Sequence, residues 1–140
     1  MSFEGRDLPE ELQRFLSDFI TAFQEVSEVW LFGSRADGTA DPGSDWDLLV
    51  FADDRLAAES VKVSASFNDA RFPLFIAHGD DFIRPWPRKD GLLERGLFSQ
   101  WKWTPTTPGR ATYSAAADKP NRMGGTKPAV RVWRRSSETD

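Results

Sequence analysis

Two short apolar runs, Val29-Trp30-Leu31-Phe32 and Trp46 to Phe51, flank residues 33–44, which are drawn mostly from small and turn-forming types. Gly33, Ser34, Gly38, Thr39, Pro42, Gly43 and Ser44 all fall in that stretch. Each run has the length and the aliphatic and aromatic content of a buried strand. The residues between them predict a loop with a short helical turn after Ser34.

Upstream, Leu12, Phe15, Leu16, Phe19, Ile20, Phe23 and Val26 recur at three-and-four spacing, with Gln13, Arg14, Ser17 and Asp18 on the other side. That pattern predicts an amphipathic helix whose apolar stripe continues to Val26. Pro9 suits its first turn, and Glu10 and Glu11 suit the positive end of its dipole. Downstream, Ala57 to Ser64 reads as a helix and Phe72 to Ala77 as a third strand, broken at His78-Gly79-Asp80-Asp81. Past Pro85, Leu92, Leu93, Leu97 and Phe98 predict one face of a short helix, with Trp101 and Trp103 closing over it. From Thr104 onward Thr, Pro, Gly, Ala and Ser dominate without periodicity. Residues 1–103 therefore read as the domain. Residues 104–140 read as an extended or disordered basic tail, with a short ordered patch at Val130-Arg131-Val132-Trp133.

Composition narrows the function classes. With 39% hydrophobic residues, 11 Phe and 6 Trp, the chain has material for a core, and its length suits one domain. It has no cysteine and a single histidine, His78, so thiolate and imidazole zinc sites are not expected. A metal would be held by oxygen ligands, which favours magnesium or manganese. No apolar run reaches the length of a membrane span, and Met1-Ser2-Phe3-Glu4 carries no signal pattern, so a cytoplasmic location is expected. Residues 1–100 hold 10 Lys and Arg against 19 Asp and Glu, and residues 101–140 hold 8 against 3. An acidic body and a tail without a dense basic run argue against nucleic acid as the partner.

The chemistry-bearing segment is Leu31-Phe32-Gly33-Ser34-Arg35, followed after nine residues by Asp45-Trp46-Asp47-Leu48-Leu49-Val50. A triphosphate needs backbone N–H groups close by; a glycine at a strand end permits that approach, and a serine adds a donor. A hard metal ion needs carboxylates held rigidly. Alternate residues of a strand share a face, so Asp45 and Asp47 project together while Trp46 and Leu48 project the other way. Two adjacent carboxylates repel unless a cation lies between them, and metal ions so placed polarise a phosphate and stabilise a leaving oxygen. Taken singly, Gly33-Ser34 reads as a turn and Asp45-x-Asp47 as a solvated strand edge or a helix cap. Their order and spacing between two apolar runs is the more specific signal.

Gly33-Ser34-Arg35, Gly38 and Ser44-Asp45-Trp46-Asp47-Leu48-Leu49-Val50 together resemble the signature of the nucleotidyltransferase superfamily with the DNA polymerase β-like fold, and most of all the small bacterial minimal nucleotidyltransferases. The match is strong over residues 29–52 and loose over 8–100. The resemblance implies an α/β (α+β) fold, a small mixed sheet flanked by helices. It implies that Asp45 and Asp47 are catalytic magnesium (or manganese) ligands and that Gly33 and Ser34 line the site of a nucleoside triphosphate, expected to be ATP. It extends the nucleotide-binding set to Arg35 and Ser44; a surface role for Arg35 opposite Asp37 or Asp41 is the alternative. The acceptor it implies is a hydroxyl group, typically on a toxin partner containing a nucleotide-binding helical (HEPN) domain, as in toxin–antitoxin pairs.

One departure stands out. The family pattern places a third carboxylate on the strand after the first pair, and here the aligned position is Pro73. Asp69 has the right strand parity but lies four residues back, more than about 10 Å away. Asp80 and Asp81 read as turn residues. The alternative is therefore a degenerate nucleotide-binding or interaction module that does not turn over. His78 reads as a surface or turn residue, the tryptophans 86, 101 and 103 as packing residues, and Arg134-Arg135 as solvated charge.

Overall fold

The computed structural model describes residues 3–4, 7–53, 67, 69–86, 94–114 and 125–135. The expected helix at 57–64 and the leucines at 92 and 93 lie outside the described residues.

The first helix, α1 (Glu10–Ala22), buries Leu12, Leu16, Phe19 and Ile20 along one stripe, with Glu10 and Glu11 in its first turn. It ends earlier than the apolar stripe suggests. The Val26 N–H closes a turn onto the Phe23 carbonyl, and Val26 then opens strand β1 (Val26–Phe32). A β-branched residue on the helical stripe is equally at home in a strand, and pairing with Ala52 decides the matter. A four-residue helix, α2 (Ser34–Asp37), follows β1, and β2 (Asp47–Ala52) returns antiparallel to it. Strand β3 (Leu74–His78) lies parallel to β2 and makes a two-residue hairpin with β4 (Asp81–Trp86). Gly79, at φ +59°, supplies the left-handed backbone that this tight turn requires.

The region expected as a short helix is instead strand β5 (Glu94–Leu97) followed by a 3-10 turn at Phe98–Trp101. The expected tail needs a larger correction. Residues Thr104–Thr107, Arg110–Ser114 and Thr126–Arg134 form strands β6, β7 and β8 of the same sheet. The strand order is β5-β4-β3-β2-β1-β8-β7-β6, and β8 pairs antiparallel with β1. The ordered patch read at 130–133 is the centre of β8.

The connection between the outermost strands makes this sheet curl. From Leu97 to Thr104 is seven residue steps, which reach at most about 25 Å. Eight strands laid flat would set β5 and β6 about 34 Å apart. The aromatic segment between them therefore spans the concave side, where Trp101 packs edge-on against Phe32 and Phe75, with ring centroids 5.1 and 6.2 Å away. On this side Trp30, Phe32, Leu49, Phe75, Trp101, Tyr113 and Ala129 form one apolar cluster. On the other side Leu31, Leu48, Val50, Ile76, Val130 and Val132 pack against α1. Because both faces are covered, β1 and β2 read as continuous apolar runs and not as alternating strands.

Candidate functional site

The end of β1 and the start of β2 meet at Gly33. Phe32 is the cross-strand partner of Asp47, so the residue after Phe32 passes directly beside that carboxylate. A Cβ built on Gly33 would run into the Asp47 side chain. Gly33 also has φ +74°, so its conformation and its surroundings both require glycine. Its carbonyl accepts the N–H groups of Ala36 and Asp37, at 3.0 and 3.1 Å, starting α2, and Gly38 at φ +84° ends it. Its own N–H donates to the Tyr113 hydroxyl at 3.0 Å.

Asp47 is half-buried and is the first residue of β2. Trp46 donates its N–H to the Arg71 carbonyl at 2.9 Å and Leu48 donates to that of Pro73 at 3.0 Å, so pairing with the β3 side begins before the strand proper. The extended backbone this implies sets Asp45, which is exposed, on the same side as Asp47. That is the side of Leu49 and Phe51, whereas Trp46 packs with the cluster under α1.

Arg35 and Ser44 are tied to the loop itself. The Arg35 guanidinium donates to the Ser44 carbonyl at 2.9 Å and to that of Pro42 at 3.1 Å, and it lies 4.4 Å above the Trp46 ring. The Ser44 hydroxyl accepts the Asp41 N–H at 2.9 Å. Both side chains thereby fix the course of residues 41–46. Ser34, Arg35 and Trp46 line an open cavity of about 430 Å³ with Asp7, Gly38 and Ala40. Its volume is that of a small-molecule site, and Asp45 and Asp47 are not among its lining residues.

Pro73 stands in register with Asp47, one step before the Leu48–Leu74 pair, and is buried. No carboxylate comes from that position. Asp69 is occupied elsewhere. The Arg71 guanidinium binds it at 2.8 Å and, outweighing burial, holds its carboxyl below the ordinary range. Asp80 caps the 3-10 turn, accepting the Ser99 N–H at 2.6 Å. Among the described residues, no three acidic or imidazole side chains are grouped to hold a metal ion. Two carboxylates still suit magnesium, which commonly takes one or two from protein and completes its shell with water and phosphate oxygens.

Two residues that the sequence did not signal reach the loop from β7 and β8. Tyr113 meets Gly33, and the Lys127 ammonium pairs with Asp37 at 2.9 Å. Burial alone would raise the Asp37 carboxyl, but hydrogen bonds from Thr39 and Lys127 outweigh it and hold the group below its ordinary value. Neither residue belongs to a periodic pattern; their positions follow only from the pairing of β8 with β1. Trp101 and Trp103 are packing residues, as expected, and Trp103 meets Trp30 edge-on at 4.9 Å. Arg135 is not solvated charge. Its guanidinium donates to the carbonyls of Val26 at 2.9 Å, Ile20 at 3.2 Å and Phe23 at 3.3 Å, closing the C-terminal end of α1.

Comparison with protein families matches residues 12–96 to the model described as a nucleotidyltransferase domain. Neither the curated proteins nor the solved structures returned a match. No helix among the described residues is long and apolar enough to cross a membrane.

Proposed function

Because the chain belongs to the nucleotidyltransferase domain family, we propose that it is a metal-dependent enzyme that moves a nucleoside monophosphate from a triphosphate, ATP being the expected donor, onto a hydroxyl acceptor. The observation that carries this reading is the packing of Gly33 against the Asp47 carboxylate. That packing puts the backbone a phosphate can approach next to a group that can hold a cation. In this reading Ser34 donates to the triphosphate, Gly33, with its N–H held by Tyr113, lets the phosphates approach closely, and Asp45 and Asp47 would hold magnesium or manganese. The metal supplies charge neutralisation on the triphosphate and on the departing pyrophosphate. Arg35 and Ser44 act at one remove, by holding the loop that carries Asp45. The acceptor oxygen bonds to the α-phosphorus, the bond from that phosphorus to the bridging oxygen breaks, and pyrophosphate leaves. The acceptor's proton passes to water, since Pro73 offers no base. The acceptor class we favour is a side-chain hydroxyl of a partner protein, following the resemblance to minimal nucleotidyltransferases. The test is transfer of label from α-labelled ATP to protein acceptors. Transfer that disappears in Asp47→Ala supports the proposal, and equal transfer by that variant refutes it.

Pro73 favours a second reading, a nucleotide-binding module that does not turn over. It predicts that Pro73→Asp gains transfer activity absent from the natural protein. A new buried carboxylate beside Asp47 should also lower the thermal midpoint, with added magnesium restoring part of the loss. Full activity in the natural protein, unchanged in Pro73→Asp, removes this second reading.

A further inference from the structure

The short helix that carries Ser34 is held at both ends by strands outside the matched family segment. At its start the Gly33 N–H is bound by the Tyr113 hydroxyl of β7, at 3.0 Å. At its finish the Asp37 carboxylate is bound by the Lys127 ammonium of β8, at 2.9 Å. The match ends at residue 96, so both anchors come from beyond it. Tyr113 and Lys127 are cross-strand partners, which makes the two anchors a single unit.

The Tyr113 ring is fixed independently of its hydroxyl. It is 4% exposed and packs edge-on against Phe32 at 5.6 Å and at a tilt against Trp101, also at 5.6 Å. The hydroxyl is therefore presented to Gly33 from a rigid mount. Gly33 is thereby held between two groups, Tyr113 on its N–H and the Asp47 carboxylate beside its Cα. Four helical residues do not form a stable helix alone. The position of Ser34 relative to Asp47 must then be imposed from outside α2, and these two contacts impose it together with Arg35 on the Pro42 and Ser44 carbonyls and Ala36 in the core.

We infer that the β7–β8 pair is a clamp on the nucleotide loop, in which Tyr113 and Lys127 are positioning residues that set Gly33 and Ser34 for the triphosphate. This rests on the nucleotidyltransferase reading above. Tyr113 is the single tyrosine of the chain. Protein grown with 3-fluorotyrosine therefore gives one fluorine resonance, and that resonance reports from the Gly33 amide. Titration with magnesium–ATP should shift it, because the nucleotide arrives at the group Tyr113 binds. In parallel, Tyr113→Phe keeps the ring and removes only the hydroxyl. It should bind magnesium–ATP about tenfold more weakly, as should Lys127→Met, on the scale of one or two lost hydrogen bonds. A ring that serves packing alone would leave the fluorine resonance unmoved by nucleotide. Tight nucleotide binding by the natural protein, with an unmoved resonance and both variants binding within twofold of it, overturns the clamp and leaves the nucleotide reading intact. Absence of binding by the natural protein overturns both.

Discussion

Gly33 lies where backbone conformation and side-chain crowding meet, and no other residue satisfies both. An alanine there would hold a left-handed backbone at a cost of about 1–2 kcal/mol and would push the Asp47 carboxylate aside. Gly33→Ala should therefore lose stability in urea titration by at least that amount and should also lose magnesium–ATP binding. Unimpaired binding by a folded Gly33→Ala protein would show that Asp47 is not where the chemistry needs it. The Asp37–Lys127 pair makes a prediction in pH. The folded carboxyl lies below its ordinary value of 3.8, so its stabilisation is complete above that pH. It is lost as pH falls through the depressed folded value. Lys127→Met should move the Asp37 titration upward in carbon-13 spectra; an unmoved titration would mean the pair does not form in solution.

At the scale of elements, what the sequence disclosed depended on where each element's stabilising contacts come from. Helix α1 and strands β1 and β2 carry their own signatures, an apolar stripe and two apolar runs, because α1 buries one stripe and the strands bury both faces. The end of α1 was overrun by a stripe that continues into β1, since Phe23 and Val26 stay apolar after the helix stops. Gly33, Ser34, Asp45 and Asp47 stand out in the sequence as candidates because each belongs to a local motif. Tyr113, Lys127 and Arg135 do not. Strand β8 alternates poorly across a bulge in its register with β1, and it is stabilised by pairing with residues a hundred positions earlier. Arg135 shows the consequence, because its guanidinium binds the carbonyls of Ile20 and Phe23 at the C-terminal end of α1 and that of Val26 at the start of β1. Arg135→Ala should cost about 1.5–3 kcal/mol of stability, as expected for charged hydrogen bonds at a helix terminus. A loss below about 0.5 kcal/mol, the scale of an ordinary surface change, would return Arg135 to solvated charge.

For the whole molecule, the boundary that composition suggested at residue 103 runs through a single sheet. Strand β1 is central, with β2 on one side and β8 on the other, and Tyr113, Ala111 and Ala129 complete the concave cluster around Trp101. A chain ending at residue 103 would leave one edge of β1 unpaired and would strip Tyr113, Ala111 and Ala129 from the cluster around Phe32 and Trp101. Such a chain should show no cooperative thermal transition in circular dichroism, and a sharp transition near that of the full chain would restore 104–140 to the status of a tail. The same architecture brings a strand from beyond the family segment up to the Gly33–Asp47 contact, where the Tyr113 hydroxyl accepts the Gly33 N–H. The measurement that bears most directly on that place is calorimetric titration of magnesium–ATP into the full chain and into the Asp45→Ala/Asp47→Ala protein. Saturable binding by the natural chain that vanishes in a folded double variant is the predicted result. Equal binding by both proteins, or none by either, would contradict the assignment of this contact as a nucleotide site.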